Sequence, residues 1–222
     1  MKNNVRLLTL LLVLGVSICL LTAPGCRPDR SALPNVVVIV IDTLRADHLP
    51  FYGYPKNTAP FLAKLASQGV LFEKAYATSS LTAPSTASLF TSFYPFQHGV
   101  VLNIGGTIKL RKMAPKLKVK LNKIPHEITT LGEIFKQAGY STYGVSDNIN
   151  IGDKEAFDQG FDKFSTFTYR GAPAINQQVK EWADEIKSRE RYFLYLHYMD
   201  PHQPFFKREP WYQKQDNPSD NQ

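Results

Sequence analysis

NVVVIVIDTLRADHLPFYGY, residues Asn35–Tyr54, decides how the rest of the chain is read. Its first seven residues, Asn35–Ile41, are Asn35 followed by a continuous β-branched run. Such a run predicts a strand buried on both faces, as in a parallel sheet covered by helices. Asp42 follows at once, so it falls at the carboxyl end of that strand, where open α/β sheets bind their ligands. A helix-capping or loop aspartate is the plainer reading of Asp42 alone. Arg45, Asp47 and His48 in the next loop add polar company. A carboxylate in this position also suits a hard divalent cation.

Working outward, helical spacing over Thr58–Ser67 predicts a helix capped by Gly69. Val70–Ala77 reads as a second strand. In SSLTAPSTASLFTSFYPFQHGV, Ser79–Val100, seven of the thirteen residues from Ser79 to Thr91 carry a hydroxyl. Pro84 near a first turn predicts a helix over Pro84–Ser92. Thr82 would stand just before it, as an N-cap or as a hydroxyl facing the positive helix end, where an anion is favoured and a bound hydroxyl is helped to ionise. Further helices are expected at Thr129–Ala138, stopped by Gly139, and at Ala174–Ser188. Further strands are expected at Thr142–Val145 and Tyr192–His197. Strands alternating with helices predict an α/β fold with a mostly parallel sheet.

The remaining composition sets bounds. The chain has 222 residues, 43% hydrophobic and 12% aromatic, an ordinary globular balance. Lys2 and Arg6 precede the apolar run Leu7–Leu21, which is short for a membrane span and suits a signal peptide. APGC then ends at Cys26 and resembles a bacterial lipoprotein processing box. The alternative is an ordinary secretory signal that leaves Cys26 as a stray thiol. The expected organisation is a signal peptide over 1–25, a tether over 26–34, an α/β domain portion over 35–212 and a disordered tail over 213–222. The expected location is the periplasmic or extracellular side of a membrane, anchored by lipid at Cys26. Cys19 and Cys26 are the only cysteines. With Cys19 inside the signal, no disulfide and no catalytic thiol are expected in the mature chain.

Net charge is +7, and Lys109–Lys123 carries seven basic residues and no acidic one. That stretch reads either as a solvated loop or as a patch for anionic lipid, an anionic polymer or a phosphate-bearing substrate. Its cations are too scattered among apolar residues for a nucleic-acid motif, so no nucleic-acid partner is expected.

Five ordered blocks together resemble the N-terminal half of the sulfatase family, within the alkaline phosphatase superfamily. They are NVVVIVIDTLRADHLPFYGY, TAPFLAKLASQGVLFEKAYA, LTAPSTASLFTSFYPFQHGV, TTLGEIFKQAGYSTYGVS and YFLYLHYMDPHQPF. The resemblance implies an alkaline-phosphatase-like α/β fold and a metal-dependent ester hydrolase acting on a sulfate or phosphate ester. The cation would be calcium, or magnesium, manganese or zinc. Asp42 matches a metal-binding carboxylate, although Thr43 stands where a partner acid is usual. Thr82 matches the nucleophile position, which also touches the metal. Pro84 fits the family pattern, while Thr86 replaces its arginine. Asn148 lies where a substrate-contacting Lys and His pair is usual. His202 matches an active-site histidine that can contact the leaving group. His98 and Gly99 are read as structural, and His197 as a weaker site candidate.

These departures bear on chemistry. In true sulfatases the nucleophile position holds a Cys or Ser oxidised to formylglycine, whose hydrate carries two hydroxyls. Thr82 has one, which suits phosphoryl or phosphonyl transfer through a covalent intermediate. A Thr-based phosphodiesterase or phosphotransferase is therefore an alternative, as is an inactive lipoprotein. Family members also take ligands from a later block, and after His202 the sequence offers only Glu209, Asp216, Asn217, Asp220 and Asn221. A truncated domain with an under-liganded site, inactive by itself, is expected on that ground.

Overall fold

The computed structural model describes residues 33–116 and 122–205. The chain divides into two units, Met1–Pro34 and Asn35–Gln222, and every described element lies in the second. The predicted signal peptide, the lipidated Cys26 and the tail over 213–222 lie outside the described residues.

Four strands form one sheet: β1 (Val36–Ile41), β2 (Ser141–Ser146), β3 (Lys163–Thr166) and β4 (Tyr192–Tyr198). Their order is β1-β4-β2-β3, and every pairing is parallel. Register aligns Ile41 with Tyr198 and Ser146 with His197. The carboxyl ends of β1, β4 and β2 therefore finish together, and the residues just beyond them meet at one edge.

β4 is central, and its alternation serves two cores. Phe193 and Tyr195 point to one, with Phe90, Phe157 and Val36, Val38 and Val40 of β1. Leu194 and Leu196 point to the other, with Tyr143, Val145, Ile175 and Ile186. The first face is covered by α2 (Thr82–Thr91) and α5 (Leu131–Gln137), the second by α6 (Ala172–Glu181) and α7 (Ala183–Lys187). Each fully buried large side chain stabilises the fold by about 1.5–3 kcal/mol before entropy is counted. Also present are α1 (Pro60–Ala66), the single turn α3 (Pro95–His98) and α4 (Ile104–Met113).

The α/β expectation is met, with several corrections. β1 is an edge strand and is not buried on both faces: Val37 and Ile39 are 47% and 53% exposed. Hydrophobic content alone does not say which strands acquire a covering helix. Val70–Ala77 is not a strand: among the described residues no neighbouring strand pairs with its backbone, and the Phe72 carbonyl accepts instead from the Tyr52 hydroxyl. Gly69 is not the cap of α1; Ser67 is, in right-handed geometry. The helix expected at Pro84 begins at Thr82. The helix expected over Ala174–Ser188 starts at Ala172 and is interrupted at Trp182. The basic stretch is not wholly a loop, since Lys109–Met113 belong to α4, which ends at Ala114 before Pro115. β3, on the other edge, carries no strong pattern.

At α5 the local sequence acts as predicted. Thr130 and Glu133 form a reciprocal capping box, and Gly139 takes a φ of +86° just past the end.

Candidate active site

Asp42 continues the β1 ladder by one residue, its N–H donating to the Tyr198 carbonyl at 2.9 Å. The chain then turns at Thr43, whose φ of +56° is rare for a β-branched residue. This bend leaves the Asp42 carboxylate at the sheet edge. Three donors converge on its Oδ2. Thr82 Oγ1 donates at 3.1 Å, Asn148 Nδ2 at 3.0 Å, and His197 Nε2 lies at 3.2 Å. They come from the start of α2, the turn after β2 and the end of β4, so the meeting depends on the shared register of the strand ends.

Burial would raise the Asp42 pKa, but the hydrogen bond and charge of His197, with the hydrogen bonds from Thr82 and Asn148, outweigh it. The carboxyl is held below its ordinary value. Asp42 is thus a committed anion, placed to accept the Thr82 hydroxyl hydrogen.

His197 is buried, and its Nδ1 lies 2.8 Å from the Tyr195 hydroxyl. Burial, followed by the charge of Asp42, pushes the Tyr195 phenol far up, so it stays protonated. Thr86, also buried, lies beside Tyr195. Thr86 stands where the family pattern has arginine, so that position brings no cation to the site. Among the described residues, no Lys or Arg lines either groove beside Thr82.

Thr82 is the first residue of α2 and not its N-cap. Leu81 is the cap and offers no side-chain bond. Asn103 Oδ1 instead accepts the N–H of Ala83 at 2.9 Å. Pro84 has no N–H, so the helix start has less to offer an anion than its position in sequence implied.

Asn148 is locked from both ends of its amide. Its Nδ2 also reaches Met199 Sδ at 3.2 Å, and its Oδ1 accepts the backbone and side-chain N–H groups of Asn150 at 2.9 Å each. Asn150 Oδ1 in turn accepts the N–H of Ile104 at the start of α4.

Thr82, Asn148 and His202 line one groove of about 470 Å³, together with Ile104, Gly106 and Tyr169. Asp42 opens into an adjacent groove of about 290 Å³ with His197, Ser79 and Ser80; Thr82 lines both. His202 Nδ1 donates to the Gln203 carbonyl at 2.5 Å, leaving Nε2 as the ring's other polar edge. His98 is buried between Ser88 Oγ, 3.0 Å from Nε2, and the Val100 N–H, 3.1 Å from Nδ1, while Gly99 has a φ of +74°. Both residues are structural, as expected.

Sequence reading missed Asn103, Asn150 and Tyr195, and ranked His197 too low. Asn150 had a signal, two residues from Asn148 just past a predicted strand. Asn103 and Tyr195 had none, because their partners are distant in sequence. Asp147 was also missed. Its carboxylate accepts the N–H groups of Arg170 and Gly171 at 2.7 Å each, fixing the approach to α6.

As a cation site the cluster is sparse. Asp42 and Thr82 supply hard oxygens, but three hydrogen bonds already use one carboxylate oxygen. Among the described residues no group of three His, Cys, Asp or Glu could hold a metal ion. A hard cation takes about six oxygen ligands, so these side chains by themselves do not fit one.

The parallel sheet covered by helices is similar in fold to solved proteins of the alkaline phosphatase superfamily. A solved superfamily member from Vibrio parahaemolyticus matches with a TM-score of 0.58 at 18% identity, covering 82% of this chain and 44% of that one. The sulfatase family profile matches residues 34–222, and the chain belongs to the sulfatase family. A Bacteroides thetaiotaomicron N-acetylgalactosamine-6-O-sulfatase is 35% identical over 159 residues, covering 68% of this chain and 27% of that protein. A neighbour solved in complex with its substrate, D-glucosamine-2-N,6-O-disulfate, matches with a TM-score of 0.57 at 18% identity, over 77% of this chain and 35% of that one. The chain spans about a quarter of the length of the curated relatives it matches.

Proposed function

We propose that this chain carries the nucleophile side of an ester-hydrolase site, with Thr82 attacking the sulfur or phosphorus of a sulfate or phosphate ester. The observation that carries the reading is the hydrogen bond from Thr82 Oγ1 to Asp42 Oδ2 at the wall of a groove shared with Asn148 and His202. Thr82 Oγ1 forms the new bond and gives its proton to Asp42. The ester oxygen leaves as an alcohol, taking the Nε2 proton of His202 in its imidazolium form. Water then attacks the sulfur or phosphorus, one of its protons returns to His202, and Thr82 Oγ1 leaves with the proton that Asp42 held, restoring the threonine hydroxyl. Asn148 and His197 hold Asp42 in place throughout. A divalent cation is proposed as well, with Asp42 and Thr82 as this chain's share of its ligands; no step above is routed through it.

Membership of the sulfatase family and the disulfated-sugar complex of a neighbour favour a sulfate ester. A specific observation favours a second reading, Thr-based phosphodiester hydrolysis or phosphoryl transfer. Thr82 has a single hydroxyl, and Thr86, which lines the Asp42 groove, brings no charge to it. Rates on an aryl sulfate and a bis-aryl phosphate, each compared with Thr82→Ala, separate the two. Turnover of both substrates that is indifferent to Thr82 overturns the proposal.

Export and a lipid anchor at Cys26 complete it. The support is the charged start, the apolar run Leu7–Leu21 and APGC. Intact-mass analysis of protein from the membrane fraction reads the modification directly, and an unmodified Cys26 refutes it.

A further inference from the structure

α4 and the residues after it are not absorbed by this site chemistry. No Asp or Glu occurs between Glu73 and Glu127. Within that span Lys109, Arg111, Lys112 and Lys116 are all exposed, and among the described residues none of them is in an ion pair. Thr107 marks the inward side of α4, buried to 4%. At about 100° per residue, Ile108, Lys109, Lys112 and Met113 fall within an arc of about 140° opposite Thr107. Ile108 is 49% exposed and Met113 75%.

Cations near a helix C-terminus offset the helix dipole, which accounts for one or two of them. It does not account for two large apolar side chains standing in water beside Lys109 and Lys112, cations that are in no ion pair among the described residues. A soluble polyanion would engage the cations and leave Ile108 and Met113 exposed. A bilayer takes both, placing apolar side chains at the headgroup boundary and cations beside anionic lipid. The sequence supplies proximity. Nine residues separate Cys26 from Val36, a reach of at most about 35 Å. A lipid anchor at Cys26 would therefore keep this domain at the membrane surface. No described helix is long and apolar enough to cross a membrane.

We infer that the outward face of α4, with Lys116 just beyond it, docks on an anionic phospholipid surface. The inference extends the proposed anchoring and is tested independently of it. The mature chain from Arg27 onward, which carries neither the apolar signal nor the cysteine that would be acylated, is mixed with phosphatidylcholine vesicles with and without phosphatidylglycerol, and the bound fraction is read by flotation. Binding to the phosphatidylglycerol vesicles is expected to exceed binding to phosphatidylcholine alone. Replacing Lys109, Arg111, Lys112 and Lys116 by Gln should lower it at least about tenfold. Salt near 1 M, where the screening length is about 3 Å, should remove the same increment. Ile108→Ser with Met113→Ser should weaken binding to both vesicle types. The pair Lys112→Gln and Lys116→Gln, both exposed, gives a graded test with little risk to folding, and melting temperatures check every variant. Binding to phosphatidylglycerol vesicles that survives loss of the charges overturns the inference. So does capture by dextran sulfate with no preference for anionic vesicles. Failure of lipidation would appear separately, in the mass of the full chain.

Discussion

Thr82→Ala separates a catalytic hydroxyl from a structural one, because the structure assigns this side chain a small mechanical role. Thr82 does not cap α2, so the roughly 1 kcal/mol lost with an N-cap is not at stake. What is lost is one hydrogen bond to a carboxylate, 3.1 Å long and part-buried. Bonds to charged partners contribute about 1.5–3 kcal/mol. Asp42 keeps Asn148 and His197 as donors, so no buried acceptor is left unpaired, and the cost falls to about 1 kcal/mol. For a domain of this size that lowers the melting temperature by about 2–4 °C. The effect on turnover is of another order, since removing a nucleophile typically costs several powers of ten. The assay follows hydrolysis of the aryl sulfate and bis-aryl phosphate by the full-length protein, alongside a thermal melt of each variant. Thr82→Ser, which restores the donor, should recover turnover and the melt together. Turnover within about tenfold of the unsubstituted protein, or a covalent adduct trapped on Ser79 or Ser80, would refute the assignment.

Other outcomes follow from the same geometry. Asn103→Ala, which removes the acceptor that holds the Ala83 N–H, should destabilise by about 1 kcal/mol in a thermal melt. Because its folded pKa is lowered, Asp42 contributes stability that is fully present above its ordinary value of 3.8 and is lost as pH falls through the folded value. Asp42→Asn should abolish that part of the acid dependence in pH-resolved melts while depressing turnover at every pH. Gly160 has a φ of +83°, and a Cβ there would stand 2.0 Å from the Glu133 nitrogen. Gly160→Ala should therefore cost roughly 3 kcal/mol or more, read as loss of soluble protein or a large fall in denaturant midpoint. Glu185 is held at about 2 by Lys163, Arg189 and Tyr143. Since its cationic partners Lys163 and Arg189 are exposed to water, Glu185→Gln should change stability only slightly, and less so in high salt.

The sequence by itself determined the elements whose signals are local. The β-branched run before Asp42, the apolar Tyr192–Leu196 stretch and the Thr130 and Glu133 pair each declare a strand or a helix start without outside help. Alternation of such elements fixed the α/β class, and five ordered blocks carried the resemblance to sulfatases. The four residues named for catalysis and metal binding, Asp42, Thr82, Asn148 and His202, do come together around two adjoining grooves. Only the tertiary structure decided which strands are edges, that Val70–Ala77 finds no partner, and that Thr82 sits inside α2 with its cap supplied by Asn103. It alone revealed that Asp42 Oδ2 gathers donors from residues 40, 106 and 155 positions away. The physical reason is that hydrophobic periodicity and capping act over a few residues, whereas sheet order and register are set by packing between distant segments. His197 could be recognised as a neighbour of Asp42 only once β4 lay beside β1, with Ile41 level with Tyr198.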